Sequence, residues 1–381
     1  MTSDTAPFLT SLSKERGIVF SEAFTQASWT LPSHASLFTG KNFAHASVSS
    51  VLSDTEYTIT EALKDTGYQT HAFSTGPFVQ PQWGFGQGFD AFTGTVGTED
   101  TWDDLPELFD TALSWIKSRE DTSSPYFLFV HSFHVHDPYK GEGATSIIAA
   151  NKTMDQEVIS ALEQDYQTEI TEFDTAFKHL YESLEKNGTL ENTVLIITSD
   201  HGEEFGEHGS VGIHGVNTYR ETIWVPLIIF LPDGTSYEDT FSVSVSAIPQ
   251  TIMDILGLGI FSDVPSLLKK TGDRVVISST SNSKEGILES YAKRDILIKD
   301  AAKELTDLEY RIPDIPIPTD GTTVESAIVG RWHLIKNPDG SKELFDMQTD
   351  SDEQKNVLSE VPLLAKSEQK KIQTLFNALG L

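Results

Sequence analysis

The sequence has no cysteine, so neither disulfides nor thiolate metal sites hold this chain together. Basic residues are scarce: 27 Lys and Arg stand against 57 Asp and Glu, giving a net charge of -30. A field of that sign repels nucleic-acid phosphates and anionic headgroups, which removes nucleic acid from the expected partners. No run of about 18 apolar residues occurs, so no membrane-spanning helix is expected. The opening Met1-Thr2-Ser3-Asp4 lacks the basic and apolar stretches of a secretion signal, and the expected location is the cytoplasm. The acidic excess runs along the whole chain and 38% of residues are apolar, which points to a folded, salt-adapted (halophilic) protein rather than a disordered one.

What is present is an alternation of helical and strand-like segments. Ile59–Asp65 reads as a helix and 68–74 as the strand after it; 107–118 and 126–130 repeat the pattern. The stretch 154–186 is long, charged and periodic, and predicts one or two surface helices. Residues 193–199 (T-V-L-I-I-T-S) and 225–231 (V-P-L-I-I-F-L) are short and rich in β-branched side chains, and both are expected near a sheet centre. The expected fold class is therefore α/β, with a mainly parallel sheet flanked by helices and a small C-terminal α+β unit. Residues 1–262 would form the core and 263–320 a connecting or lid-like segment. In 321–381, strand 327–336, a turn at 337–340 and strand 342–347 would make a hairpin ahead of a closing helix at 362–379.

Three segments could carry chemistry. In Trp29-Thr30-Leu31-Pro32-Ser33-His34, Pro32 suits a first helical turn, which sets Thr30 at a helix N-terminus. Free N–H groups and the helix dipole favour an anion there, and a hydroxyl in that place could attack phosphorus. Thr before a helix also ordinarily serves as its N-cap. His34 joins the catalytic candidates from the same segment. Asp200 and His201 follow a buried strand, at the carboxyl end where α/β sheets bind ligands, and suit a divalent metal. In 127–139, His134 and His136 could ligate metal or donate protons, while His131 reads as a core histidine. His214 lies in a Gly-rich loop.

Together these segments resemble the sulfatase family of the alkaline-phosphatase superfamily. A-S-W-T-L-P-S-H-A-S-L-F-T-G resembles its nucleophile signature; H-S-F-H-V-H-D-P-Y and T-S-D-H-G-E-E-F-G-E-H-G resemble its central and metal-binding signatures; L-I-K-N-P-D-G-S-K-E-L-F-D-M resembles its C-terminal hairpin. The resemblance implies an alkaline-phosphatase-like fold. It aligns Thr30 with the nucleophile, Asp200 and His201 with metal ligands shared with Thr30, and His136 and His214 with positions that contact the transferred or leaving group; His134 is expected to bind substrate beside them.

Three departures shape the expectation. Thr30 replaces the Cys or Ser that becomes formylglycine in true sulfatases, which favours phosphate mono- or diesters over sulfate esters. His201 supplies nitrogen, which favours Mn or Zn over Ca or Mg. The family's opening strand, ending in Asp ligands, has no counterpart here; residues 4–9 and Gly17–Phe20 resemble the helix and strand that follow it. The expected activity is metal-dependent cleavage of a small anionic ester by the Thr30 hydroxyl. The alternatives are a true sulfate-ester hydrolase and an inactive anion-binding protein. Loops 141–151 and 281–314 are expected to shape the pocket.

Overall fold

A computed structural model describes residues 2–43, 52–95, 104–119, 121, 123–137, 139, 156–270, 272–281 and 322–381. Loop 141–151, and loop 281–314 beyond its first residue, lie outside them.

Helix α1 (Pro7–Arg16) runs directly into strand β1 (Gly17–Phe20), followed by β2 (Ala23–Phe24), helix α2 (Thr30–Thr39) and helix α3 (Ile59–Asp65). A capping box starts α3: the Thr58 hydroxyl accepts from the Glu61 N–H, and the Glu61 carboxylate accepts from the Thr58 N–H. Next come β3 (Gln69–Thr75), β4 (Ala91–Thr95), α4 (Leu105–Ser118), β5 (Tyr126–His131), α5 (Gln156–Lys186) and β6 (Leu195–Thr198). The stretch read as one or two helices is one helix of 31 residues. A small hairpin, β7 (Glu204–Phe205) and β8 (Val211–Ile213), precedes β9 (Leu227–Phe230), β10 (Tyr237–Asp239), β11 (Val243–Ser244) and α6 (Ile248–Leu256).

The fold is α/β; among the described residues, four of the seven strand ladders outside the C-terminal unit are parallel. β3 lies between β4 and β5, parallel to both. A second sheet has the order β10-β1-β9-β6, in which β1 and β10 are parallel and β9 runs against both its neighbours. The apolar runs at 193–199 and 225–231 become β6 and β9; β9 is interior, whereas β6 has a ladder partner on one side only among the described residues.

Helices cover both faces. Leu9 and Leu12 of α1, Leu105 and Phe109 of α4, and Ile170 and Phe177 of α5 pack on one side. Leu31 and Phe38 of α2, Ile59 and Leu63 of α3, and Met253 of α6 pack on the other. The first turn of α1 has no cap of its own. Buried Asp174 on α5 supplies one, its carboxylate accepting from the N–H groups of Phe8 and Leu9 at 2.9 and 2.8 Å.

The C-terminal unit is an antiparallel sheet of β12 (Val276–Thr280), β13 (Val324–Val329), β14 (Trp332–Lys336) and β15 (Lys342–Asp346), backed by α7 (Lys366–Ala378). The single strand expected at 327–336 is instead two strands. Val329 pairs with Trp332 across a turn at Gly330-Arg331, where Gly330 adopts φ 57°, and so short a turn leaves no polar interval in the sequence. Strand β12 comes from the stretch read as connecting segment.

Candidate active site

β6 stops at Thr198, and the chain beyond its carboxyl end delivers Asp200 and His201. The start of α2 meets them there. Thr30 is the first helical residue rather than the cap: Trp29 before it is extended (φ -157°, ψ 164°), and no side chain caps the helix. Free of that task, buried Thr30 directs Oγ1 to within 3.4 Å of His201 Nε2. Ser33, one turn on, donates to the Asp200 carbonyl at 2.6 Å and shares a hydrogen bond with Thr25 Oγ1 at 2.7 Å, which ties α2 to the Asp200 loop. Gly202 is required by close approach: a Cβ there would lie 2.0 Å from the Glu221 carbonyl oxygen, and its N–H donates to Thr222 O at 2.9 Å.

Backbone carbonyls set the imidazole tautomers. His34 Nδ1–H donates to Thr30 O at 3.0 Å, His131 Nδ1–H to Thr75 O at 2.9 Å and His201 Nδ1–H to Gly202 O at 2.9 Å. With Nδ1 donating, a ring in its neutral form keeps an Nε2 lone pair for a proton or a metal. Burial pushes the His131 imidazolium down to about 3, helped by His34, and burial also lowers His201, so both are neutral near pH 7. Burial alone would raise the Asp200 carboxyl, but the imidazoles of His201, His34, His131 and His214 outweigh it and hold the group far below the usual carboxylate range.

Asp200 Oδ2 lies 3.5 Å from His201 Nε2 and 3.4 Å from His34 Nδ1. Ligand atoms of His34, His131 and Asp200 all lie within 4.8 Å of one another. A carboxylate, neutral imidazoles and a hydroxyl on one small volume fit a divalent metal. The second acidic cluster, Glu204, His208 and Glu221, is consumed by internal bonds. Glu204 accepts from the His208 and Ser210 N–H groups and from Asn217, and His208 Nδ1 lies 2.6 Å from Glu221.

His214 joins them, stacked on His201 at 4.0 Å between ring centres. Burial would lower its pKa, but Glu203, 3.2 Å from Nδ1, raises it. His136 closes the group at 4.9 Å from His214. Its Nδ1–H donates to the Asp137 carbonyl at 2.5 Å, leaving Nε2 without a proton in the neutral ring.

The structure thus brings Thr30, His34, Asp200, His201, His136 and His214 together, but not His134. That buried side chain turns away and sets Nε2 3.0 Å from Glu172 of α5, because the chain bends just past β5 and breaks the alternation that would align it with His136. His131, read as a core histidine, is partly buried and also belongs to the donor cluster. Its position at the carboxyl end of β5, matching that of Asp200 beyond β6, was the available signal.

A family model described as Sulfatase matches residues 1–258. Arylsulfatase K of Mus musculus is 24% identical over 281 residues, covering 71% of this chain and 45% of that protein. Multifunctional alkaline phosphatase superfamily protein PehA of Trinickia caryophylli is 33% identical over 109 residues, 28% of this chain and 21% of that protein. The chain spans less than half the length of these curated relatives. Among solved structures, the phosphonate monoester hydrolase of Agrobacterium radiobacter superposes with a TM-score of 0.67 at 15% identity, covering 99% of this chain and 91% of that one, a likeness of fold.

Proposed function

The chain belongs to the sulfatase family, and from that premise we propose that it is a metal-dependent ester hydrolase whose nucleophile is the Thr30 hydroxyl, with phosphate mono- or diesters as substrates. The observation that carries this reading is the Thr30 hydroxyl itself: released from capping, at a helix N-terminus, and 3.4 Å from His201 Nε2 beside Asp200. In this reading Asp200 and His201 hold a divalent ion together with Thr30 Oγ1, and His34 and His131 complete or support the set. The neutral imidazoles favour Mn or Zn over Ca or Mg. When bound, the ion would lower the pKa of the hydroxyl and offset charge on the transferred group.

Thr30 Oγ1, its proton lost to solvent, forms a bond to phosphorus as the ester P–O bond breaks. His214, whose protonated form Glu203 favours, gives a proton to the departing oxygen, with His136 beside it. Water then attacks phosphorus and gives a proton to the deprotonated His214, the Oγ1–P bond breaks with Oγ1 regaining a proton from solvent, and phosphate from a monoester, or a phosphate monoester from a diester, leaves. A threonine cannot yield the aldehyde that a formylglycine mechanism needs, which favours phosphorus over sulfur.

Sulfate ester hydrolysis is the second reading, favoured by the length of the match to arylsulfatase K. Assays on aryl phosphate, bis-aryl phosphate and aryl sulfate with Mn, Zn or Ca separate the two. Phosphate turnover, with a phosphate adduct on Thr30 seen by mass spectrometry, supports the first. Sulfate turnover alone would replace it, and turnover of none with any ion would leave an anion-binding protein.

A further inference from the structure

The β7–β8 ladder pairs Glu204 with Ile213, so Glu203 and His214 flank the base of this hairpin, one on each side. They meet there. Both oxygens of the buried Glu203 carboxylate lie 3.2 Å from His214 Nδ1. A carboxylate taken out of water needs further donors for its remaining lone pairs. Tyr139 supplies one, its hydroxyl donating to Glu203 Oε2 at 3.1 Å.

Packing places that phenol. The Tyr139 ring is buried with Val158 and Leu162 of α5 and Val211 of β8, and it lies 5.6 Å from Tyr166 and 6.1 Å from Phe205 between ring centres. Burial, reinforced by Glu203, pushes the phenol well above its ordinary pKa of 10, so the hydroxyl keeps its proton and remains a donor. The segment beyond β5 thus reaches His214 twice: directly through the His136 ring at 4.9 Å, and through Tyr139 and the carboxylate it holds.

We propose that Tyr139 is a positioning residue: acting through Glu203, it fixes the tautomer and orientation of the His214 ring. A histidine whose Nδ1–H is bound to an anchored carboxylate keeps Nε2, on the far side of the ring, as the nitrogen that gives a proton. Without the phenol, the Glu203 carboxylate loses an anchoring bond and can turn, and the ring turns with it. The inference rests on the reading of His214 as proton donor and adds a residue that reading does not use.

The test compares the full chain, with Zn added, to Tyr139→Phe, Tyr166→Phe and His214→Gln, by NMR of ring-labelled histidine and by turnover. In the parent, the Nδ1–H of His214, assigned by its loss in His214→Gln, should give a downfield proton signal that exchanges slowly with water. Tyr139→Phe keeps the ring in its cluster and should speed that exchange at least ~10-fold. Tyr166→Phe removes a hydroxyl from the same cluster and should leave the signal as it is. The proposal is overturned by a parent without the signal, by unchanged exchange in Tyr139→Phe, or by an equal change in Tyr166→Phe, which would reduce Tyr139 to packing.

Turnover tests the underlying reading separately. A proton donor matters for phenyl phosphate, whose phenolate leaves poorly, and little for dinitrophenyl phosphate. Tyr139→Phe should lose at least ~10-fold on the first and less than ~3-fold on the second, and His214→Gln should lose more with the same contrast. Equal losses on both esters in His214→Gln would sink the proton-donor reading, and the NMR signal would still decide the link to Tyr139. Contrast in His214→Gln with none in Tyr139→Phe would overturn the Tyr139 proposal alone.

Discussion

β6 and β14 are both short apolar strands, but they sit in opposite circumstances. Every residue of β6 is partly exposed, while β14 is buried except at its last residue, with Leu334 at 0% exposure and Trp332 at 1%. β14 has a ladder partner on each side and α7 behind it. β6 has one partner among the described residues, and it stops just before Asp200 and His201. The difference separates two duties: the C-terminal sheet supplies cohesion, and the strand ends of the core supply reactive side chains. Glu353 joins the two units. Its buried carboxylate lies 2.6 Å from His333 Nδ1 of β14 and accepts from the Arg220 N–H at 2.9 Å, and its carbonyl lies 3.1 Å from His208 Nε2.

If this division is right, stability and rate should respond to different positions. Leu334→Ala should cost about 3 kcal/mol of unfolding free energy, read by denaturant titration, because a cavity opens in a closed core. Thr30→Ala should lower turnover at least ~100-fold, equivalent to about 2.7 kcal/mol in the barrier, while its unfolding midpoint stays near that of the parent. A Thr30→Ala enzyme that keeps its rate would remove the proposed nucleophile.

The brace between the units should respond to alkali. Burial works against the His208 imidazolium, but Glu221 prevails and raises its pKa to about 9 from 6.5. A pKa raised in the folded state gives stability that is complete below pH 6.5 and lost as the pH rises through 9, here about 2 kcal/mol. Unfolding midpoints at pH 6 and pH 9.5 should therefore differ in the parent by more than in His208→Gln. The smallest effect is expected at Ile197→Ala in β6, about 1 kcal/mol, since that side chain is already partly exposed. A loss equal to that of Leu334→Ala would erase the contrast between the two sheets.

Much of this was legible in the sequence where one residue type does one job. Pro32 and Gly40 bracketed α2, Asp200-His201 followed an evident strand, and α3 matched its helical pattern residue for residue. Legibility failed where direction in space decides. Spacing alone could not tell that His134 turns to Glu172 while His136 faces His214. Nor could it tell that His131, read as a core histidine, sits in the donor cluster. The β13–β14 turn went unseen because Gly330-Arg331 sits inside an apolar run with no other turn residue.

The tight fit at Gly202 also bears on how this scaffold could be re-engineered. With the Glu221 carbonyl 2.0 Å from where a Cβ would sit, the position beside His201 accepts no side chain without moving the backbone. A mutagenesis library aimed at a new substrate would waste its members there, and is better spent at positions that neither hold the backbone in place nor belong to the proposed catalytic group.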